Sequence, residues 1–223
     1  MSINKYEILL AAQILLSVIS PLFSTSTYSR TAIDLAITFV FITAIYVISN
    51  TKKHFIIGMV LMVPTLMVIW GIKIFHVEFM EFISLIGSVL FFSYIAGLIL
   101  AEIFRAKGMV TLDIIAAGIS VYLFFGNICG FIYAIIGRVD PNAFNIPAIT
   151  ASYLGDNLHD LGSAMYFSFV TLTTLGYGDI TPINDFARSL AFLEAATGQI
   201  YLTVLIASLV GIHISNSSKG GKS

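Results

Sequence analysis

Six apolar runs of bilayer-crossing length dominate this chain: roughly Tyr6–Phe23, Ala32–Ser49, Phe55–Phe75, Phe82–Phe104, Leu112–Ile136 and Ala187–Ile214. One helix needs about 20 apolar residues to cross a membrane. These runs are apolar on every side rather than along one stripe, as helices embedded in lipid or in a bundle core should be. Charge is correspondingly scarce. Of 223 residues, 58% are hydrophobic and only 10% charged, against about 25% in an ordinary soluble domain. Such a chain cannot coat itself with the charged skin of a soluble enzyme, and its net charge of −1 gives no basic surface for nucleic acid. The expectation is an all-α membrane protein with six transmembrane helices.

The remaining charges orient the chain. With the N-terminus in the cytoplasm, Lys5, Lys52, Lys53, Arg105, Lys107, Lys219 and Lys222 lie inside, and Arg30, Lys73, Arg138 and Arg188 outside. That excess is the positive-inside bias, and six crossings return the C-terminus to the cytoplasm. The first run, with Lys5 before it and Ser24-Thr25-Ser26 after it, also has the outline of a signal peptide. Glu7 in its flank and the extent of the run favour a retained span. Pro64 falls inside the third run, where a membrane helix tolerates it as a kink. Cys129 stands alone, so no intrachain disulfide and no cysteine metal site can be written.

Between the fifth and sixth runs the pattern changes. Residues 137–160 are mixed in character, and Leu161 to Thr173 is apolar but half the crossing length. A short helix before glycine-rich chain, between two spans, reads as a re-entrant segment. Irregular backbone at membrane depth must be buried in protein or line a water-filled space. The end of the short helix and the chain beyond it read Thr171-Leu172-Thr173-Thr174-Leu175-Gly176-Tyr177-Gly178-Asp179. Glycine reaches mirror-image dihedrals that reverse the usual alternation of strand carbonyls. Gly176 and Gly178 therefore allow the carbonyls of Thr174, Leu175, Gly176 and Tyr177 to face one axis, with the Thr174 hydroxyl adding an oxygen at the inner end. Several neutral oxygens can replace an ion's hydration shell without the grip of a full charge.

This stretch resembles the selectivity filter of the potassium channel family, with Leu175 where the familiar pentapeptide carries Val. The resemblance extends to Tyr166-Phe167-Ser168-Phe169-Val170, similar to the family's aromatic pore helix, and to Asp179 and Pro182 beyond the filter. It implies K+ held at Thr174, Leu175, Gly176 and Tyr177, with Gly178 completing the filter and no other cofactor. It implies a homotetramer in the cell membrane, since one loop supplies a quarter of a ring, with lipid and K+ as the remaining partners. The family aspartate braces the pore mouth, a role that falls on Asp179. Val170 stands where some members carry the partnering glutamate, so bracing must come from another donor such as the Tyr166 hydroxyl.

Around the filter, Gly198 matches the family's inner-helix hinge, although a small residue there equally permits close helix approach. Gln199, Leu202, Thr203, Ile206 and Val210 recur at helical spacing and are candidates for the cavity wall. Glu194 is an intramembrane carboxylate, for which hydrogen bonding behind the filter is the expected use. Asp140, Asp156, Asp160, Asp179 and Asp185 outnumber Arg138 and Arg188 in the outer loop, which suits a cation-attracting mouth or simply a solvated loop. The short helix also points its negative C-terminal end at the ion path.

On this reading, residues 1–108 form a four-helix domain resembling a voltage sensor without gating charges. Residues 109–215 form the pore domain, and 216–223 a disordered cytoplasmic tail too short for a regulatory module. A charge crossing the field contributes about 2.3 kcal/mol per 100 mV, so steep gating needs several. Phe82 to Ala101 carries no basic residue, and Arg105 and Lys107 sit at its end. The expected function is passive, voltage-independent K+ conduction and not enzyme chemistry. His54, His76, His159 and His213 have no metal or triad spacing. A K+ transporter subunit, a weakly selective cation channel and a non-conducting accessory protein are the competing readings.

Overall fold

A computed structural model of the chain describes residues 5–22, 27–75, 78–105, 112–147 and 160–220. Regular structure among these residues is all-helical apart from one short two-stranded ribbon. The helices are α1 (Lys5–Leu22), α2 (Thr27–Ile48), α3 (Lys52–Phe75), α4 (Glu78–Arg105), α5 (Leu112–Val139), α6 (Leu161–Leu172) and α7 (Asp185–Gly220). Among the described residues five helices, α2 to α5 and α7, are long and apolar enough to cross a membrane, which makes this a multi-pass membrane protein. α1 has 18 residues with Lys5 and Glu7 in its first turn, and is not one of the five. Helices are what such runs must form, because lipid offers no partner to an unpaired peptide group. α3 runs unbroken through Pro64, beside which Thr65 Oγ1 donates to the Leu61 carbonyl at 2.7 Å.

α7 runs on to Gly220, past the point where the sequence places a disordered tail. Ser215 to Lys219 are polar but contain neither proline nor glycine, so nothing in them interrupts the helical ladder before Gly220.

α6 sits against α1, α5 and α7, while α4 packs on α3 and α5. A chain of aromatic rings ties α2 and α4 to α5. Phe41 of α2 stacks on Phe91 of α4 at 4.2 Å, and Phe92 meets Phe124 and Phe131 of α5 edge-on at 5.0 and 5.4 Å. All five rings are fully or almost fully buried. Polar ties supplement them. Gln13 of α1, fully buried, donates to the Ser120 carbonyl of α5 at 3.1 Å. Arg138, at the end of α5, donates to Glu81 of α4 through Nη2 at 2.6 Å and Nε at 3.1 Å. Lys73 of α3 pairs with Asp34 of α2 at 3.0 Å and lies over the Trp70 ring.

The ribbon pairs β1 (Phe144–Asn145) with β2 (Thr181–Pro182) in antiparallel register, Phe144 opposite Pro182. Ile183 N–H adds a bond to the Ala143 carbonyl at 2.7 Å. The chain leaving the 174–178 stretch is thereby fastened to the chain leaving α5.

Glycines let α5 and α6 touch. A Cβ on Gly130 would stand 2.6 Å from Met165 Sδ and 3.2 Å from the Met165 Cα, whereas one on Gly97 of α4 meets nothing within 4 Å. Gly130→Ala should therefore cost about 1–3 kcal/mol by forcing the helices apart. Gly97→Ala should be neutral or stabilising by up to about 1 kcal/mol through helix propensity. Thermal unfolding of the two variants in detergent micelles checks this, and equal midpoints would contradict the packing.

Candidate functional site

α6 starts at a cap. Asp160 accepts from Ser163 N–H at 3.3 Å through its carboxylate, the usual way a helix satisfies a free donor in its first turn. Its apolar side chains, Ala164, Met165, Phe167 and Leu172, are buried among α1, α5 and α7. The helix ends at Leu172 and leaves four terminal carbonyls to be satisfied. Each has a partner. Phe169 O accepts from Thr173 N–H at 3.1 Å and from Thr173 Oγ1 at 2.7 Å. Val170 O accepts from both Leu175 N–H at 3.0 Å and Gly176 N–H at 3.3 Å. Thr171 O accepts from Thr174 N–H at 2.9 Å, and Leu172 O from the Tyr122 hydroxyl at 3.3 Å. The negative end of α6 is thus largely spent on the chain just beyond it, which moderates the field expected from the sequence.

Beyond α6 the backbone alternates in handedness. Thr174 has φ +58°, Gly176 +58° and Gly178 +77°, while Leu175 and Tyr177 between them are not left-handed. Such alternation is the dihedral condition under which successive carbonyls share a side. Glycine adopts it freely. Threonine does not, at about 1–2 kcal/mol, and its conformation is held by its surroundings. Thr174 Oγ1 donates to the Thr173 carbonyl at 2.6 Å and accepts from Gln199 Nε2 at 3.0 Å. The sequence pointed to the two glycines and missed the third left-handed residue, because β-branched side chains rarely occupy that region. Leu175 and Tyr177 are exposed in the single chain, Tyr177 at 66%.

The far end of the stretch is braced by a side chain from the short helix. The Tyr166 hydroxyl donates to Asp179 Oδ2 at 2.6 Å, and Asp179 Oδ1 accepts from Ile180 N–H at 3.1 Å. Of the other acids in this region, Asp140 accepts from Asn184 Nδ2 at 3.1 Å and from Asn142 N–H at 3.1 Å. Asp140 and Asp160 therefore do local structural work, and Asp156 lies outside the described residues.

Along α7, Gly198 lies against the end of α6: a Cβ there would be 2.6 Å from the Leu172 carbonyl oxygen. This is the close-approach use of a small residue. Gln199 is brought to Thr174, whereas the Thr203 hydroxyl turns back to the Gln199 carbonyl at 2.7 Å. Thr203 and Ile206 are exposed and Leu202 half-buried; the side chain of Val210 is outside the described set. Glu194 is buried behind the stretch, where the Tyr133 hydroxyl donates to Oε2 at 2.6 Å and Ser168 Oγ lies 2.5 Å from Oε1. Tyr201 donates to the Gly118 carbonyl at 2.7 Å and stacks on Tyr122, a tie between α7 and α5 that no spacing rule announces.

Comparison with known proteins gives a family match on this half of the chain. Residues 117–213 match the family described as ion channel. "Two-pore potassium channel 5" of Arabidopsis thaliana is 34% identical over 58 residues, which are 26% of this chain and 14% of that relative. No solved structure matches the chain. The two matches bear out the resemblance to the potassium channel family read from the sequence.

Tyr166→Phe removes the side-chain donor to Asp179 while keeping the ring. A hydrogen bond to a charged group contributes about 1.5–3 kcal/mol, so the variant should unfold at a lower temperature in detergent. Tyr122→Phe, which removes only the 3.3 Å bond to Leu172 O, should cost about 1 kcal/mol or less. The order of the two midpoints is the check.

Proposed function

We propose that four copies of this chain form a passive, potassium-selective pore in the cell membrane, with the ions passing among four loops of Thr174 to Gly178. The observation that carries the reading is the alternation of handedness at Thr174, Gly176 and Gly178, at the end of a capped half-length helix. Backbone carbonyls so arranged supply uncharged oxygens in place of water, which favours both entry and release of the ion. The Thr174 hydroxyl keeps an accepting lone pair alongside its bonds to Thr173 and Gln199. Asp179, held by Tyr166, keeps the width of the mouth, and Gly178 gives it room to turn.

In this proposal α1 makes a sixth crossing and both ends of the chain lie in the cytoplasm. Residues 109–215 serve as the pore domain, and residues 1–108 as a surrounding four-helix domain. α4 has no basic residue before Arg105 at its end, so conduction is independent of voltage. Gly198, packed on Leu172, together with Gln199 and Thr203, forms the inner wall and adjusts the loop from below.

Purified protein in liposomes loaded with K+ tests this directly. The expected result is a K+ flux blocked by barium, with Na+ carried at least about tenfold less well, a difference of about 1.4 kcal/mol. Tyr177→Asp should bring the Na+ and K+ fluxes towards equality. No flux at all would remove the channel reading; comparable Na+ flux in the unaltered protein would replace it with a weakly selective cation channel.

A further inference from the structure

Glu194 sits at the junction of three helices: α7 carries it, Tyr133 faces it from α5, and Ser168, itself bonded to the Gly126 carbonyl of α5, faces it from α6. It is 1% exposed. Among the described residues no lysine, arginine or histidine makes an ion pair with it. An uncompensated carboxylate in such a place is strongly disfavoured.

The oxygen contacts can be counted against the protons available. Tyr133 Oη is 2.6 Å from Glu194 Oε2, Ser168 Oγ is 2.5 Å from Glu194 Oε1, and the same Ser168 Oγ is 2.7 Å from the Gly126 carbonyl oxygen. Three oxygen–oxygen contacts at these lengths each need a hydrogen between them. Tyrosine and serine bring one proton each, and a backbone carbonyl brings none. If Glu194 were ionised, Ser168 would have to leave either the carboxylate or the carbonyl facing its bare lone pairs. The only other titratable groups facing the carboxyl among the described residues are on α5: the Cys129 thiol, which brings its own proton to its own contact, and, farther off, the Tyr122 phenol.

We infer that Glu194 is held as the neutral acid and is a positioning residue for α6. Its Oε1–H donates to Ser168, Ser168 donates to the Gly126 carbonyl, and Tyr133 donates to Oε2. The relay runs from α7 through α6 to α5. Ser168 stands two residues before Val170, whose carbonyl holds the amides of Leu175 and Gly176. A carboxyl proton thus sets where the short helix, and with it the 174–178 stretch, comes to rest. The effect on ion selection rests on the channel reading; the protonation state does not.

Two measurements on the full chain separate these parts. In lipid nanodiscs at neutral pH, the infrared difference between the unaltered protein and Glu194→Gln should contain the C=O band of a protonated carboxylic acid. That band should move to higher frequency in Ser168→Ala, which removes the acid's acceptor. A carboxylate band in its place, or a protonated band indifferent to Ser168→Ala, overturns the inference whether or not the protein conducts. In liposomes, Glu194→Gln should keep the K+ over Na+ flux ratio, since its amide donates to Ser168 and accepts from Tyr133. Glu194→Ala should lower it about tenfold, the loss of roughly one buried hydrogen bond. A Gln variant as damaged as the Ala variant, or an Ala variant as selective as the parent, overturns the positioning role. Absence of flux from the unaltered protein would instead fault the channel reading and leave the infrared result to decide the proton.

Discussion

A helix that stops partway through a membrane protein must have its last four carbonyls satisfied by the protein itself. Lipid offers them no partner, and each bare group would cost several kcal/mol. Much of this fold is arranged around that demand at the end of α6. Two of the carbonyls fold the next stretch of chain back on the helix through Leu175, Gly176 and Thr174, which fixes where the left-handed residues fall. The Leu172 carbonyl is instead served from outside by Tyr122 of α5 and lies against Gly198 of α7. Gly126 and Gly130, four residues apart on α5, bring the outer helix into contact with Phe169, Leu172 and Met165 on the other flank. Small residues at such spacing are how helices approach closely where no hydrophobic effect drives them together. Larger residues at these positions would separate the walls from the helix end and leave the carbonyls short of partners.

The same packing explains what the first four helices contribute. The stacked and edge-on rings of Phe41, Phe91, Phe92, Phe124 and Phe131 run from α2 through α4 into α5. α1 adds Gln13 to α5 and packs on α6 itself. These helices therefore back the outer wall of their own chain's short helix. The interior between α4 and α5 is filled by aromatic rings, with the Arg138–Glu81 pair joining the two helices at one end.

How much of this was legible in the sequence differs from element to element. The long helices were legible because lipid leaves an apolar run little choice, and most of their ends agree to within a few residues, the exception being α7, which runs on past Ile214 to Gly220. Thr27, Glu78 and Asp185 lie a few residues ahead of the predicted starts, since hydropathy does not see the polar first turn of a helix. The half-length α6 was legible from its length and from the glycines after it. Tyr166 could be named as a donor to Asp179 because Val170 left the aspartate without a carboxyl partner. Pairs that form across helices left no local trace: Lys73 with Asp34, Arg138 with Glu81, Tyr201 with Gly118. Glu194 could be singled out as an intramembrane acid, but Tyr133 and Ser168 lie 61 and 26 residues away, and no spacing rule joins them. Thr174 is the clearest case of tertiary context overriding a residue's preference, since its left-handed backbone is held by Gln199 from another helix.

One side of the single chain does not suit lipid. α7 exposes Phe192 at 71% along with Leu193, Ile200, Val204 and Ile206, and hydrocarbon would cover these without cost. Hydrocarbon cannot do so for the exposed groups beside them, Thr173, Thr174, Gln199 and Thr203, nor for the peptide groups of residues 175–178. Irregular backbone in a membrane protein needs water or protein against it. A ring of identical chains meets both needs, with the apolar flank of α7 facing a neighbour and the polar edge turned to a shared axis. Closed cyclic symmetry is the usual form of a homo-oligomer, and it would place the alternating backbone of each chain opposite that of its neighbours. The proposed fourfold pore thus has support in an unmet solvation demand on one face, independently of any likeness to known channels.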